Sequence, residues 1–234
     1  LAGLPGLAYS GVTKSQAFYE LVHEDPVLQN DFISNGIYPV QVMLMSPVEF
    51  ITRDKPIRTP ADLKGLRVLS NGGIENEFLE SLGAVPVNMA TSEMFEALER
   101  GVIDAISGVP TTADSYGIKD IAKYATSGAP LVSGQVGFII NHDLWQSFPD
   151  DIKAAFDKAG KEMAKEASEA ISNLSRQIYD NWAQSGIEIL ELTGDELKQW
   201  EDTVKPFLDA WVEKQGSEFK EAYDRYLNLL EQYQ

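Results

Sequence analysis

Residues 59–107, TPADLKGLRVLSNGGIENEFLESLGAVPVNMATSEMFEALERGVIDAIS, decide the fold, because start and stop signals recur in them at short intervals. Thr59-Pro60 opens a turn of helix that Gly65 closes, and residues 66–69 make a brief apolar strand. Gly72-Gly73 turns the chain. Ile74, Phe78, Leu79 and Leu82 then recur at helical spacing as far as Gly83, whereas Val85, Val87 and Met89 alternate as a strand does. Thr91 or Ser92 caps a second helix with Met94, Phe95 and Leu98 on one face; it stops at Gly101 and feeds a strand over 102–106. Strands joined through helices in this way predict a parallel sheet.

Working outward, the strand-like runs 38–45 and 135–141 flank this unit and read as crossings between two lobes. Beyond Ser147, the residues Ile152, Ala155, Phe156, Ala159, Met163, Ala167, Ile171, Leu174, Ile178 and Trp182 keep a three-four spacing, which predicts one long amphipathic helix. Gly186 stops it and residues 187–190 read as a further strand. Thr193 with Glu196 is a capping-box signature for the next helix, in which Pro206 predicts a kink. Gln215-Gly216-Ser217 separates a last helix carrying Tyr226, Leu229, Leu230 and Tyr233.

Composition narrows the function. The 234 residues, 44% hydrophobic and 24% charged, are ordinary globular material for one large or two small cores. Nineteen Lys and Arg against 36 Asp and Glu give a net charge of -17, which repels phosphate backbones and anionic lipid, so nucleic acid is not an expected partner. With no cysteine there is no disulfide, thiolate metal site or cysteine nucleophile, and His23 and His142 are too few for a multi-histidine metal site. The longest apolar runs, 40–45 and 136–140, are too short to span a membrane.

Catalytic constellations are missing as well. The sequence contains no Gly-x-Ser-x-Gly elbow, phosphate-binding Gly-x-x-x-x-Gly-Lys or His-Glu-x-x-His. His23, among Glu20, Glu24 and Asp25, reads as a solvated surface histidine, and His142 as ending a strand or starting a helix. Asp150-Asp151 and Glu24-Asp25 suit helix starts or water-facing loops. Trp145, Trp182, Trp200 and Trp211 fall at core-facing spacing.

The string Pro56-Ile57-Arg58-Thr59-Pro60-Ala61-Asp62-Leu63-Lys64-Gly65-Leu66-Arg67-Val68 resembles the solute-binding proteins of TRAP transporters, the tripartite ATP-independent periplasmic uptake systems. The similarity continues through 82–89 and 92–105, then 141–145 and Phe148-Pro149-Asp150. The family's opening strand-helix-strand portion has no counterpart, so the chain reads as N-terminally incomplete. The resemblance implies an α/β, two-lobed periplasmic-binding-protein-like fold with crossing strands and a long helix spanning both lobes. Residues 1–46 and 134–173 would form the first lobe, 47–133 and 174–225 the second, and 226–234 the C-terminal helix end. It implies a periplasmic protein that needs no cofactor, captures a small-molecule solute and delivers it to membrane permease subunits.

The family holds a ligand carboxylate with an arginine at the end of the strand after the Asp-Leu-Lys-Gly turn, and often with a second just past the first crossing strand. Those positions fall here on Leu69 and on or next to Glu49. Two like charges about 4 Å apart cost about 4 kcal/mol at an effective dielectric near 20, roughly a thousandfold in affinity. A neutral, zwitterionic or cationic solute is therefore expected. The rival is a carboxylate anchored by a displaced arginine, Arg67 or Arg53. Position by position, the resemblance adds Asn71, Thr91, Ser107 and Gln135 as ligand contacts, with Gly108 leaving room beside Ser107. The alternative from another class is an enzyme on the same bilobal scaffold, without an evident nucleophile or base.

Overall fold

The unit that decides the fold forms in the expected order, and two strands that the sequence hides complete its sheet. The computed structural model describes residue 1, residues 3–7 and residues 11–234. Its elements run α1 (Gly11–Val22), β1 (Ile37–Pro47), β2 (Glu49–Thr52), β3 (Arg67–Leu69), α2 (Ile74–Ser81), β4 (Val85–Val87), α3 (Met94–Glu99) and β5 (Ala105–Gly108). There follow α4 (Pro110–Ser115), β6 (Tyr124–Ser127), β7 (Ser133–Asn141), α5 (His142–Ser147), α6 (Asp150–Gln184), β8 (Glu188–Glu191), α7 (Gly194–Glu213) and α8 (Ser217–Gln232).

The strands make a six-stranded sheet in the order β4-β3-β5-β2-β6-β8 and a two-stranded ribbon of β1 and β7. β3 lies parallel to β4 and β5, as the helical connections require. The all-parallel expectation is corrected by β2, which runs antiparallel to both β5 and β6, so the sheet is mixed. β2 reverses direction because the chain enters it straight from β1 across Val48, with no helix to carry it back to the other end of the sheet.

Local chemistry explains the turns. Asp62 Oδ2 accepts hydrogen bonds from the Thr59 amide at 2.8 Å, the Thr59 hydroxyl at 3.0 Å and the Arg58 amide at 3.0 Å, closing the short 3-10 turn before β3. Gly72 and Gly73 take φ of +89° and +59°, which favours glycine, and so bend the chain from β3 into α2.

Three clusters of buried side chains hold the elements together. The first joins α1 and β1 to α8 through Phe18, Leu21, Leu44, Tyr226 and Leu229. The second sits under one part of the mixed sheet, with Phe50, Val68, Phe78 and Trp200, and the third under another, with Ile51, Leu98, Ile178 and Trp182. α6 contributes Ala164 to the first and Ile178 and Trp182 to the third, so its 35 residues tie the β1–β7 ribbon to the mixed sheet. At 1.5 Å per residue that helix is roughly 50 Å long. Trp200 donates to the Arg58 carbonyl at 2.9 Å and Trp182 to Asp114 Oδ1 at 2.8 Å, so both indoles are satisfied in the core. Pro206 lies inside α7, which continues through it.

Candidate functional site

β1 becomes irregular after Leu44, pairs with β7 a last time at Pro47 opposite Ser133, passes Val48 and becomes β2, while β7 returns with Gly134 and Gln135. These crossing segments roof the C-terminal ends of β3 and β5 and enclose a crevice of about 280 Å³. Its floor carries Leu69, Ser70 and Asn71 from the end of β3 and Ile106, Ser107 and Gly108 from the end of β5; Thr91 and Thr112 line its sides. A crevice outside the carboxyl ends of parallel strands is the general ligand position of α/β sheets. Among the described residues that line it, none is charged.

Leu69, Asn71, Thr91, Ser107 and Gln135, far apart in sequence, thus meet around one space. Thr91, Thr112 and Gln135 spend no side-chain hydrogen bond on the rest of the described protein, so their polar atoms are available to a solute. Ser70 does not share that role, because its hydroxyl donates to the side-chain oxygens of Asn76 and, at 3.3 Å, Asn88.

Two expected contacts lie elsewhere. Glu49 does not line the crevice: it is buried at 6% exposure, where Oε1 accepts from the Gly128 amide at 3.1 Å and Oε2 from the Thr126 hydroxyl at 3.1 Å. Side chains alternate along an extended chain, and Val48, one residue earlier, takes the crevice face instead. Burial pushes the Glu49 carboxyl up to about 8, against the opposing pull of those two donors. At neutral pH it is mainly uncharged and exerts no repulsion on an anion.

Arg67 also stays away. Its Nε and Nη2 donate to the two carboxylate oxygens of Asp104 at 2.9 and 2.7 Å, at the end of β3 remote from the crevice. Arg53 donates to the Leu98 carbonyl at 3.1 Å, to the Glu99 carbonyl and to Asp54. Neither displaced arginine reaches the crevice. The Arg67–Asp104 pair is more than one-third exposed on the arginine side, so Arg67→Ala is expected to leave the midpoint of chemical denaturation nearly unchanged. The same variant should leave solute affinity unchanged in calorimetry.

One acid near the crevice escaped the sequence reading. Glu75, in the first turn of α2, is 4% exposed, and its Oε2 accepts from the Asn71 amide at 2.9 Å and the Asn71 side-chain amide at 3.1 Å. Its Oε1 is buried without a hydrogen-bond partner. Burial raises its pKa, and the neighbouring Ser107 hydroxyl and Asn71 donors offset the rise only in part. Glu75 lines a second cavity of about 320 Å³, which shares Asn71, Gly134 and Gln135 with the crevice. An acid in the first turn of a helix ordinarily complements the dipole, which is why its position in the sequence carries no signal.

A larger groove, about 690 Å³, runs along the β1–β7 ribbon and α6, but its lining of Val136, Phe138, Ile139, Phe156 and Met163 is almost wholly apolar. Such a surface cannot orient a polar solute. His23 is no surface histidine: it packs against Tyr19 with ring centroids 4.2 Å apart, and its Nδ1 lies 2.7 Å from the Tyr19 carbonyl. His142 begins α5, which the Asn141 side chain caps. Among the described residues, no group of three or more His, Cys, Asp or Glu is placed to hold a metal ion, and no helix is long and apolar enough to cross a membrane.

A mixed sheet with a polar crevice at its strand ends, roofed by strands crossing to a second sheet, defines an α/β solute-binding protein. The chain belongs to family 7 of the bacterial extracellular solute-binding proteins, DctP, whose model matches residues 11–215, and with it to the TRAP solute-binding proteins. It is 29% identical over 175 residues to the C4-dicarboxylate-binding periplasmic protein DctP of Rhodobacter capsulatus, covering 73% of this chain and 51% of that protein. Against the protein of the same name from Vibrio cholerae it is 28% identical, covering 74% of this chain and 52% of the relative. The chain therefore spans about half the length of these curated relatives.

Among solved structures, it resembles a marine metagenome TRAP solute-binding protein specific for aromatic acid ligands, solved with 3-hydroxybenzoate. The TM-score there is 0.85 at 25% identity, over 99% of this chain and 73% of that one. A TRAP periplasmic solute-binding protein from Desulfovibrio salexigens matches with a TM-score of 0.80 at 25% identity, over 99% of this chain and 72% of that one. These neighbours are solute-binding proteins and not enzymes.

Proposed function

We propose that this chain is the ligand-gripping part of an extracytoplasmic protein that captures a small polar solute, neutral, zwitterionic or cationic, and hands it unchanged to the membrane subunits of a TRAP-type transporter. The observation that carries the reading is the crevice itself. Neutral hydrogen-bonding side chains converge on it, and Leu69 and Val48 stand at or beside the positions where the family's arginines would face a carboxylate. Relatives are named for dicarboxylates and aromatic acids. An acid held here would lose its solvation without gaining a cationic partner, and that exchange is unfavourable.

The lobes built around the two sheets would close on the solute through the β1–β2 and β7 crossings, excluding water and completing the contacts. A thermal-shift screen tests the reading with polyols, amines, amino acids, dicarboxylates and aromatic acids. A solute at a hundredfold its dissociation constant adds about 2.7 kcal/mol to stability, which is roughly 5–10 °C for a chain of this size. Uncharged or ammonium-bearing solutes are expected to give that shift. A response confined to carboxylates would sink the solute class, and chemical turnover of a stabilising solute would favour an enzyme.

A further inference from the structure

Glu75 combines three features that no other acid beside the crevice shares. It is almost fully buried, one of its oxygens has no hydrogen-bond partner, and it lines the cavity that adjoins the crevice through Asn71, Gly134 and Gln135. The fold sets it there deliberately in local terms. The two positive-φ glycines at 72 and 73 curl the chain so that both Asn71 donors converge on Oε2 and leave Oε1 for something else. A carboxylate oxygen left bare in a buried site is costly unless a donor eventually reaches it. Ser107, which lines the crevice, stands against the same carboxylate.

We infer that Glu75 is the charge-reading group of the binding site, receiving the ammonium of an amine-bearing solute whose remaining polar groups meet Thr91, Thr112 and Gln135. This rests on the solute-binding reading and narrows it from an uncharged or cationic solute to one with a primary ammonium group. The crevice lining supplies no cation to compete for the carboxylate. The nearby acids of α2 do not substitute for it: Glu77 and Glu80 are exposed, and Glu77 meets the Trp211 indole at 3.4 Å.

Matched probes test this, because each pair differs only at the amine: ethanolamine against ethylene glycol, and 1,4-diaminobutane against 1,4-butanediol. Calorimetry on the wild-type chain should show each amine bound at least tenfold more tightly than its hydroxyl counterpart. Glu75→Gln keeps the shape and an acceptor for Asn71, so its ligand-free melting temperature should match wild type, while its affinity for the amines should fall about a hundredfold. Ser107→Ala, which keeps the carboxylate, should retain the amine preference. Equal binding of amine and hydroxyl partners by the wild type, or unchanged amine affinity in a folded Glu75→Gln, overturns the role of Glu75 and leaves the solute-binding reading standing. If sugars, amino acids, acids and amines all fail to bind the wild type, the solute-binding reading falls too.

Discussion

Glu49→Gln is expected to stabilise the protein above about pH 5, by an amount that grows with pH and levels off above about pH 8. The Glu49 carboxyl is pushed up to about 8 in the folded chain by burial, from an ordinary value of 4.5. Between those values the folded state holds a proton that the unfolded state has released. Stability from this group is therefore complete below about pH 4.5 and is lost as pH rises through 8. At 1.36 kcal/mol per pKa unit, the accumulated loss at pH 7 is on the order of 3 kcal/mol.

Glutamine mimics the protonated acid. Its carbonyl accepts from the Gly128 amide as Oε1 does, and its amide donates to the Thr126 hydroxyl oxygen, whose own proton has the Phe50 carbonyl 3.5 Å away. Glu49→Ala removes both partners and leaves a cavity, so it should destabilise by about 2 kcal/mol or more at every pH. Denaturant unfolding of wild type and both variants from pH 5 to 9 separates the cases. The wild-type and Gln curves should meet near pH 5 and diverge above it; parallel curves would show that the folded carboxyl titrates normally. Solute affinity should be the same in Glu49→Gln and wild type, since Glu49 lies off the crevice.

What the sequence made legible follows from where its signals are strong. β3, α2, β4, α3 and β5 were visible because glycines punctuate them and their apolar residues change period between strand and helix. β2 was hidden because all four of its residues are buried, so it shows no alternation, and its first residue is an acid. β6, Tyr-Ala-Thr-Ser, carries too little apolar side chain to announce a strand. Missing β2 also misplaced the site: without its register, Glu49 and Val48 could not be assigned to opposite faces, and one residue of shift exchanges crevice for core.

The long helix shows the same limit in another form. Its apolar residues Ile152, Phe156, Met163 and Leu174 mark a helix correctly but are exposed at 40–45%, while Gly160, Ala164, Ser168 and Ser175 are buried ahead of Ile178 and Trp182, where the large apolar residues do reach the core. Periodicity registers large apolar side chains, and this seam is built from small ones. Glu75 was invisible for a related reason, since only the three-dimensional convergence of Asn71 and Ser107 distinguishes it from an ordinary helix-start acid.

That small-residue seam carries the second large expected effect, at Gly160. A Cβ placed there would sit 2.0 Å from the Val40 carbonyl oxygen, 3.1 Å from the Val40 carbonyl carbon and 3.2 Å from Tyr19 Cε2. Its main obstacle is backbone, which cannot swing aside as a side chain does, so α6 must move off β1 or β1 must bend. Below Gly160 the seam stays tight: Ser15 Oγ donates to Ser168 Oγ at 3.1 Å and accepts from the Leu44 amide at 2.9 Å, and the Ser46 and Ser175 hydroxyls meet at 2.8 Å. Displacement at Gly160 therefore strains several buried hydrogen bonds together. Gly160→Val is expected to cost about 3 kcal/mol, at the upper end for overpacking, read as a lower urea midpoint at unchanged slope. Gly216→Ala is the control, since its Cβ meets nothing within 4 Å and replacing a helix N-cap glycine changes stability by only about 0.5 kcal/mol. Because β1 and the residue that follows it bring Met45 and Val48 into the roof of the crevice, the valine variant should also bind solute more weakly at temperatures where it remains folded. Wild-type stability in Gly160→Val would mean that α6 does not lie against β1 as closely as the Val40 contact requires, and the connection from helix seam to crevice roof would be lost with it.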